Sequence, residues 1–370
     1  MNHTPLPAWA DIGLLPLLNI LAALVVSGLI IAAIGEDPFR AMAVLFQGAF
    51  LTTNGLGYTL YYTTNFIFTG LAVAVAFHAA MFNIGGEGQA YLGGLGAGVA
   101  VLMADSFLPG LLLIPFAVIF SALFGAAWAF IPGWLQAKRG SHIVITTIMF
   151  NFIAASLMVW LLAGPLMRDG QGAPETRPFA EAAQMPYMHE MLGALGLVVP
   201  RSPLNLSLLI ALAVAALVWF IIWRTRFGYA LRAMGASPGA AEYAGMNTVR
   251  ITVLALLLSG GLAGLMASNA VLGEPHKLVL NFTGGYGFTG IAVALMGRNH
   301  PVGIILAALL FGALTQGGTE LDFEFQTITR ETVQVVQGLI ILFSGALAYL
   351  FAPMVARLIA PFAAKKGAPA

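Results

Sequence analysis

The chain has 370 residues, of which 59% are hydrophobic and only 8% are charged, against roughly 25% charged in an ordinary soluble domain. Its net charge of +1 gives no basic footprint for nucleic acid. The lack of cysteine excludes disulfides, thiolate metal sites and cysteine nucleophiles. This composition predicts a polytopic membrane protein in a lipid bilayer, folded as one all-α domain over residues 1–370.

Apolar runs of about twenty residues recur along the chain, which is the length that a helix needs to cross the hydrocarbon core. We predict about ten membrane-spanning helices from this pattern. They cover residues 14–34, 65–83, 88–104, 107–130, 143–163, 204–223, 251–273, 286–297, 301–317 and 332–352. Residues 41–60 are ambiguous because polar and glycine residues interrupt them, and we interpret them as interfacial or re-entrant.

Charges in the connecting loops predict an orientation, because short cytoplasmic loops are enriched in Lys and Arg. Basic and acidic connections alternate along the chain. The basic ones carry Lys138, Arg139, Arg224, Arg226, Arg232, Arg250, Arg298, Arg357, Lys365 and Lys366, and the acidic ones carry Glu36, Asp37, Asp105, Asp169, Glu175, Glu181, Glu190, Glu274, Glu320, Asp322, Glu324 and Glu331. Both termini are therefore predicted to be cytoplasmic.

The longest connection, residues 164–203, lies on the predicted extracytoplasmic side. Its prolines forbid a long regular helix. They are Pro165, Pro174, Pro178, Pro186, Pro200 and Pro203. Two interpretations stay open, a solvated connector or part of a docking rim for an external solute-binding protein.

A glycine-rich polar segment, Asn83–Gln89, separates two apolar runs and contains a carboxylate, Glu87. Non-helical backbone at membrane depth is tolerated only where protein buries it or where it lines a water-filled cavity. Ionisable groups at that depth are candidate functional groups. We therefore take Asn83, Glu87 and Gln89 as candidate solute-pathway residues. The alternative is that Glu87 only caps the helix that follows it.

Two further glycine patterns have structural interpretations. Gly93, Gly94, Gly96 and Gly98 lie on one predicted span, where small residues let helices approach closely. Residues 285–290 match the dinucleotide-binding glycine fingerprint, but they lie in a predicted membrane segment without the acid that the fingerprint requires about twenty residues onward. We interpret that match as accidental.

The predicted cytoplasmic loop 224–250 contains a short helix. Ser237 before Pro238 is typical of an N-cap followed by a first-turn proline, and Gly245 is typical of a C-terminal stop. A two-turn helix of small residues buries too little area to be a core element. We therefore predict that it docks in a groove on another protein, with an ordinary amphipathic connector as the alternative.

Four segments of the chain resemble the ABC transporter permeases of the branched-chain amino acid, ribose and nucleoside type. These segments are Asn83–Gln89, Ile145–Ala154, Gly228–Met246 and Ser259–Gly264. The first is similar to the nucleoside branch, because the sugar permeases typically carry Asp-Leu-Ser-Val-Gly at that turn. One departure is Phe-Asn-Phe around Asn151, where many relatives read Leu-Asn-Tyr.

The resemblance implies the permease subunit of an ATP-driven importer in a bacterial inner membrane. Nucleosides are the implied solute, with simple sugars such as ribose as the alternative. The implied partners are a cytoplasmic ABC ATPase, a second and dissimilar permease subunit, and an extracytoplasmic solute-binding lipoprotein.

The resemblance also implies roles for particular residues. It adds Asn151 to the candidate solute pathway and makes the short cytoplasmic helix the ATPase-coupling element. The coupling residues are Ser237, Pro238, Glu242, Tyr243, Gly245 and Met246. No Lys follows a Gly anywhere in the chain, so a P-loop is excluded, and we expect a partner to use the ATP while this chain binds no cofactor.

Two other classes of protein compete with this interpretation. A secondary transporter would also have broken helices, but Glu87 and His78 are the only ionisable candidates within the early predicted spans. A membrane enzyme could use clustered acids to bind a metal. The nearest set, Glu320, Asp322 and Glu324, has the alternating spacing of a solvated, strand-like loop rather than of a magnesium site.

Overall fold

The computed structural model describes residues 7, 9–168, 170, 172–325, 327–343 and 351–356. Within those ranges the chain is helical, with two isolated β-bridges and no longer strand, which confirms the predicted all-α class. Four residues that entered the predicted orientation, Asp169, Arg357, Lys365 and Lys366, lie outside the described residues, as does 344–350 of the last predicted span.

The helices are α1 (Leu15–Ile34), α2 (Pro38–Phe50), α3 (Gly55–Phe77), α4 (Gly86–Ala104), α5 (Gly110–Arg139), α6 (Ile143–Leu162), α7 (Met188–Ala194), α8 (Ser207–Arg224), α9 (Arg226–Ala236), α10 (Pro238–Tyr243), α11 (Thr248–Leu265), α12 (Ala267–Ala270), α13 (Tyr286–Met296), α14 (Pro301–Glu324) and α15 (Arg330–Ile341). In the described part of the chain, seven segments are long and apolar enough to cross a membrane. They are α1, α3, α5, α6, α8, α14 and the run Thr248–Ala270. The count of ten crossings and the orientation stay predictions.

The ambiguous segment 41–60 belongs to two helices. Its first part lies in α2 and its last part in α3. The 13 residues of α2 rise about 20 Å, which is less than the hydrocarbon core of about 30 Å. Its N-terminus is capped by Asp37, whose Oδ1 accepts a hydrogen bond from the Phe39 amide at 2.9 Å.

Helix α3 begins ten residues before the predicted start at 65 and ends six before the predicted end at 83. Hydropathy underestimates its first turns because they carry threonines and tyrosines. Two of the threonine hydroxyls are satisfied within the helix: Thr63 donates to the Thr59 carbonyl at 2.7 Å and Thr64 to the Leu60 carbonyl at 2.8 Å. These side chains lie against protein, so their polarity does not oppose a buried helix.

The acids at 320–324 correct a second prediction. Glu320, Asp322 and Glu324 are helical, because α14 continues to Glu324, so the prediction of a strand-like loop was wrong. Glu320 accepts a bond from Gln316 one turn earlier, at 3.1 Å, and Glu324 pairs with Arg40 at 2.7 Å. In the described ranges, no group of three His, Asp or Glu side chains could hold a metal ion.

The chain divides into two compact units. The terminal unit consists of residues 1–51 and 314–370, and the 52–313 unit contains the rest. In the terminal unit, α1, α2, the end of α14 and α15 surround a small apolar cluster that includes Ile31, Leu321 and Val333. Because these units are structural, the single permease domain over 1–370 stays a prediction about function.

In the 52–313 unit, glycines bring helix backbones into contact. A Cβ on Gly93 of α4 would lie 2.3 Å from the Cα of Gly264 in α11, and one on Gly125 of α5 would lie 2.3 Å from the carbonyl oxygen of Gly260. The predicted packing role of the α4 glycines is confirmed. The other three α4 glycines, Gly94, Gly96 and Gly98, lie against Phe282, Phe120 and Leu278, respectively. In lipid, no hydrophobic driving force brings helices together, so their association depends on van der Waals contacts. Close approach of the backbones supplies those contacts.

Helices α5 and α6 differ from α3 and α4 in how much apolar surface they expose. Helices α5 and α6 expose large apolar side chains, including Ile119, Leu123, Ile145 and Phe152. Nearly every residue of α4 is buried by protein, as is most of α3. A continuous exposed apolar surface on long helices is typical of contact with lipid.

We predict that Gly264→Ala destabilises the 52–313 unit. Its Cβ would lie 2.3 Å from the Ser121 carbonyl oxygen and 3.2 Å from the Cα of Gly125, and overpacking of this kind costs about 1–3 kcal/mol. The midpoint of thermal unfolding in detergent should fall. Gly261→Ala on the same helix is the matched control, because its nearest neighbour, the Ala122 carbonyl oxygen, is 3.4 Å away. Equal midpoints for the two variants would contradict the tight crossing.

Candidate functional site

The polar segment predicted at 83–89 is divided between a non-helical break and the first turn of α4. The break occupies residues 78–85 and is buried from Asn83 on, apart from the half-buried Ile84, and α4 begins at Gly86. The chain reverses at its start, where the Met81 amide donates to the Ala76 carbonyl at 3.0 Å and Ala80 has a φ of +53°. Backbone that leaves a helix inside protein must find other hydrogen-bond partners. The side chains of neighbouring helices provide them.

Asn83 and Gln89 face each other across this break. The Asn83 Nδ2 donates to the Gln89 Oε1 at 3.0 Å, and the Gln89 Nε2 donates back to the Asn83 Oδ1 at 3.2 Å. Asn83 also donates to the Ser259 hydroxyl of α11 at 2.8 Å, and that hydroxyl donates to the Ala72 carbonyl at 2.6 Å. One buried amide pair thus ties the break to α3, α4 and α11.

Asn151 of α6 bonds to the backbone on both sides of the break. Its Oδ1 accepts from the Gly88 amide at 2.8 Å, and its Nδ2 donates to the Ile84 carbonyl at 2.9 Å. Asn83, Glu87, Gln89, Asn151 and Ser259 together are called the polar junction below. The structure brings all four candidate pathway residues into it. Sequence reasoning missed Ser259, and it also missed Thr147 of α6, whose hydroxyl accepts from the Ile84 amide at 3.3 Å.

The Glu87 carboxylate binds the start of a different helix from the one expected. Glu87 lies in the first turn of α4, yet its Oε1 accepts from the Gly285 amide at 3.0 Å and its Oε2 from the Gly287 amide at 2.8 Å. These amides belong to the N-terminus of α13, which begins at Tyr286. The carboxylate therefore caps α13, and the interpretation that it only caps α4 was wrong about the helix.

The glycine match at 285–290 has a structural role that the sequence did not reveal. Gly285 has a φ of +79°, and a Cβ on Gly287 would lie 2.2 Å from the Glu87 backbone nitrogen. Glycines let two helix N-termini approach each other and expose their amides to an anion, which here is a side chain of the same chain. The available signal was a glycine turn before a short apolar helix, together with an isolated acid elsewhere.

The 164–203 connection is attached to the segment between α12 and α13. The Thr176 amide donates to the Leu278 carbonyl at 3.1 Å, and the Phe179 amide donates to the His276 carbonyl at 2.7 Å. Lys277 pairs with Glu175 at 2.8 Å. The described part of this connection has only short helices, as its prolines predicted, and its backbone is fixed to residues 276–278. The connection 164–203 is called the cover below.

One aromatic residue of this cover is tied to the same segment. The Tyr187 hydroxyl lies 2.8 Å from the His276 Nε2. Burial raises the pKa of Tyr187 above its ordinary value, and the negative charges of Glu274 and Glu190 act in the same direction. Tyr187 therefore stays protonated at neutral pH.

The predicted short cytoplasmic helix is present as α10. The Ser237 hydroxyl accepts from the Ala240 amide at 3.4 Å, Pro238 is the first helical residue, and Gly245 closes the turn with a φ of +81°. Tyr243 is 96% exposed and Glu242 is also exposed, whereas Met246 is half-buried. The six predicted coupling residues therefore form one largely exposed turn.

The cover and the loop 224–250, called the coupling loop below after its predicted role, lie at opposite ends of α8. The cover leads into its start at Ser207, and α9 follows its end at Arg224. Its 18 residues span about 27 Å, close to the thickness of a bilayer core. This separation agrees with the predicted placement of the two loops on opposite sides of a membrane.

The predicted span 65–83 had included His78, but in the structure this residue lies outside α3. It follows the last residue of α3 and is half-buried. Burial lowers the pKa of His78 below its ordinary value, an effect that its bond to the Asn299 carbonyl opposes and the positive charge of Arg232 reinforces. The position of His78 after the last residue of α3 offers little support for a proton-coupled transporter.

The chain is similar to known transport proteins over most of its length. Residues 55–345 match the family described as branched-chain amino acid transport system / permease component. The chain is 35% identical to the guanosine ABC transporter permease protein NupP of Bacillus subtilis, over 89% of this chain and 92% of that protein. It is 34% identical to the glucose ABC transporter permease protein TsgB13 of Haloferax volcanii, over 91% and 88%.

A third relative also carries a nucleoside name. The chain is 33% identical to the nucleoside ABC transporter permease protein NupB of Lactococcus lactis, over 89% of this chain and 90% of that protein. In both Bacillus subtilis and Lactococcus lactis, the chain also matches a second permease with the same printed solute. Each of those organisms therefore has two permeases that are named for one solute.

Proposed function

We propose that this chain, which belongs to the family of branched-chain amino acid transport system permease components, is the membrane-spanning permease subunit of an ATP-driven importer of nucleosides. The observation that carries the proposal is the match of at least 33% identity, over most of both chains, to permeases named for guanosine and for nucleosides. The resemblance at Asn83–Gln89 points to the same solute. Glucose is the second candidate, because one relative of similar identity is named for it.

The proposed topology has ten crossings with both termini cytoplasmic, in the inner membrane of a bacterium. The seven long apolar segments supply most of these crossings. The protein-covered α4, the short α13 with the segment before it, and the last helix supply the rest. The separation of the 164–203 cover from the 224–250 loop by the length of α8 supports this arrangement.

The polar junction is the proposed place where solute passage is controlled. Two broken helices meet there, and broken helices near the middle of the bilayer are a recurrent way to build a transport site. Asn83, Glu87, Gln89 and Asn151 are the pathway residues of the proposal. Their polar atoms bond to one another and to backbone, so they position the pathway by fixing the ends of α4 and α13.

We predict that Glu87→Gln lowers nucleoside uptake about tenfold while the protein still inserts and assembles. A glutamine keeps one acceptor oxygen, but its NH2 group cannot accept from the second backbone amide. One of the two hydrogen bonds to the carboxylate, each worth about 1.5–3 kcal/mol, is therefore lost. Uptake of labelled nucleoside into cells or proteoliposomes measures the effect.

The matched control for that variant is Glu190→Gln, which removes a carboxylate from the exposed surface of the cover. It should transport like the unmodified protein. Unchanged uptake kinetics in Glu87→Gln would leave Glu87 with a capping role alone.

Three proposed partners complete the importer. A cytoplasmic ABC ATPase receives α10 and hydrolyses the ATP, a second and dissimilar permease forms the other half of the pore, and a solute-binding lipoprotein docks outside. The presence of two permeases named for one solute in each of two organisms supports the second subunit. The exposed side chain of Tyr243 on a capped, two-turn helix supports the first.

We predict that Glu242→Arg uncouples ATP hydrolysis from solute in the assembled complex. Glu242 is the only acid in the loop 224–250, which also carries four arginines, so the change reverses the one negative charge offered to the ATPase. Solute-stimulated ATP hydrolysis should fall several-fold with membrane insertion unchanged. Glu190→Arg on the cover is the control. Capture of intact ATPase by a chain lacking residues 237–245 would refute the docking role.

The solute is tested by uptake in a host that lacks its own nucleoside importers. Cells that express the chain with its ATPase, partner permease and lipoprotein should accumulate labelled guanosine or adenosine. Unlabelled nucleosides should compete with this uptake, and a hundredfold excess of glucose should not. Competition by glucose with no effect of nucleosides would replace the nucleoside by a sugar and leave the permease function intact.

A further inference from the structure

His78 lies where segments of the 52–313 unit converge. Its ring packs edge-on against Trp223 at the end of α8, with the ring centroids 5.2 Å apart. Its Nε2 lies 3.0 Å from the carbonyl oxygen of Asn299, in the turn between α13 and α14. A carbonyl oxygen only accepts, so Nε2 carries a proton and donates it. His78 therefore fastens the start of the break to two other helix ends.

Helix α9 touches the same turn through a glycine. A Cβ on Gly235 would lie 2.2 Å from the His78 carbonyl oxygen and 3.2 Å from the Ala80 backbone nitrogen. The two backbones are in direct contact, and any side chain at position 235 would push them apart. Ala80 already has a φ of +53°, which leaves the turn little freedom to yield.

Helix α9 is firmly packed on the rest of the unit. Its side chains Leu231 and Met234 are buried, and a Cβ on Gly228 would lie 2.2 Å from the Ile221 carbonyl oxygen of α8. Thr225 caps its N-terminus by accepting from the Gly228 amide at 3.1 Å. Its other end leads directly into the exposed α10, so a force on α10 reaches the turn through one short, rigid element.

The turn in contact with Gly235 is close in sequence to the polar junction. Asn83 follows His78 by five residues, and its amide is fixed to Gln89 and Ser259. A shift of the turn therefore acts on the backbone that places the start of α4 against α13. A chain of packed backbone of this kind can carry a conformational change when both of its ends are held.

We infer that the contact between Gly235 and the His78–Ala80 turn transmits movement of the coupling loop to the polar junction, with Gly235 as the positioning residue. The inference rests on the proposed function, since it requires an ATPase that acts on α10. It adds a specific internal contact between the coupling loop and the pathway.

The test compares Gly235→Ala with Gly261→Ala in the complex assembled with its native ATPase. A Cβ on Gly261 of α11 would have no neighbour closer than 3.4 Å, so this control adds the same methyl group to the unit without touching the turn or α10. Gly235→Ala should capture the ATPase as the control does and continue to hydrolyse ATP, with nucleoside uptake at least tenfold lower. Equal uptake in the two variants would overturn the inference. Failure of the unmodified complex to import nucleoside would instead overturn the proposed function.

A second measurement avoids any folding defect of Gly235→Ala. The chain has no cysteine, so Ala80→Cys places one reactive thiol at an exposed position of the turn. Its rate of maleimide labelling in the unmodified Gly235 background should change when a non-hydrolysable ATP analogue binds the ATPase. A thiol at the exposed His142 position should show no change. An unchanged rate at position 80 would overturn the inference.

Discussion

Two helix N-termini meet inside the 52–313 unit, and the rest of that unit depends on the carboxylate that joins them. Each N-terminus presents unpaired amides and about half a positive charge. Glu87 belongs to α4 and binds the amides of Gly285 and Gly287 at the start of α13, so one side chain offsets the repulsion and satisfies donors. The break at 78–85 is needed to bring α4 to this place, and Asn83 and Asn151 are needed to satisfy the break.

The polar junction and the glycine crossings are complementary solutions to the same constraint. Buried backbone groups need partners in an environment without water, and helices in lipid gain little from apolar burial alone. The amides of Asn83, Gln89 and Asn151 solve the first problem where the helices are broken. The glycines of α4, α5 and α11 solve the second where they are continuous. Helices α5 and α6 use one device each on their protein-facing side, Gly125 and Asn151, and expose apolar side chains on the other.

Much of this organisation could be predicted from sequence, because local signals report local structure. Ser237, Pro238 and Gly245 indicated α10, and the polar run at Asn83–Gln89 indicated a break, which the structure places slightly earlier, at 78–85. The partner of Glu87 could not be predicted. Gly285 lies 198 residues away from Glu87 in the sequence, and no local pattern encodes such a pairing. Hydropathy also misplaced α3 and the end of α14, where polar side chains bond within their own helix or to neighbours.

The glycines of α4 have a consequence for how the protein is made. Each glycine weakens an isolated helix by about 1 kcal/mol relative to alanine, and α4 is not among the helices apolar enough to cross a membrane by composition. Its buried surface touches protein on nearly every side. A nascent α4 therefore gains its stability from α5 and α11 rather than from lipid. Because α11 follows α4 by more than 140 residues, we expect a nascent α4 to reach its stable packing only after that later helix has been synthesised.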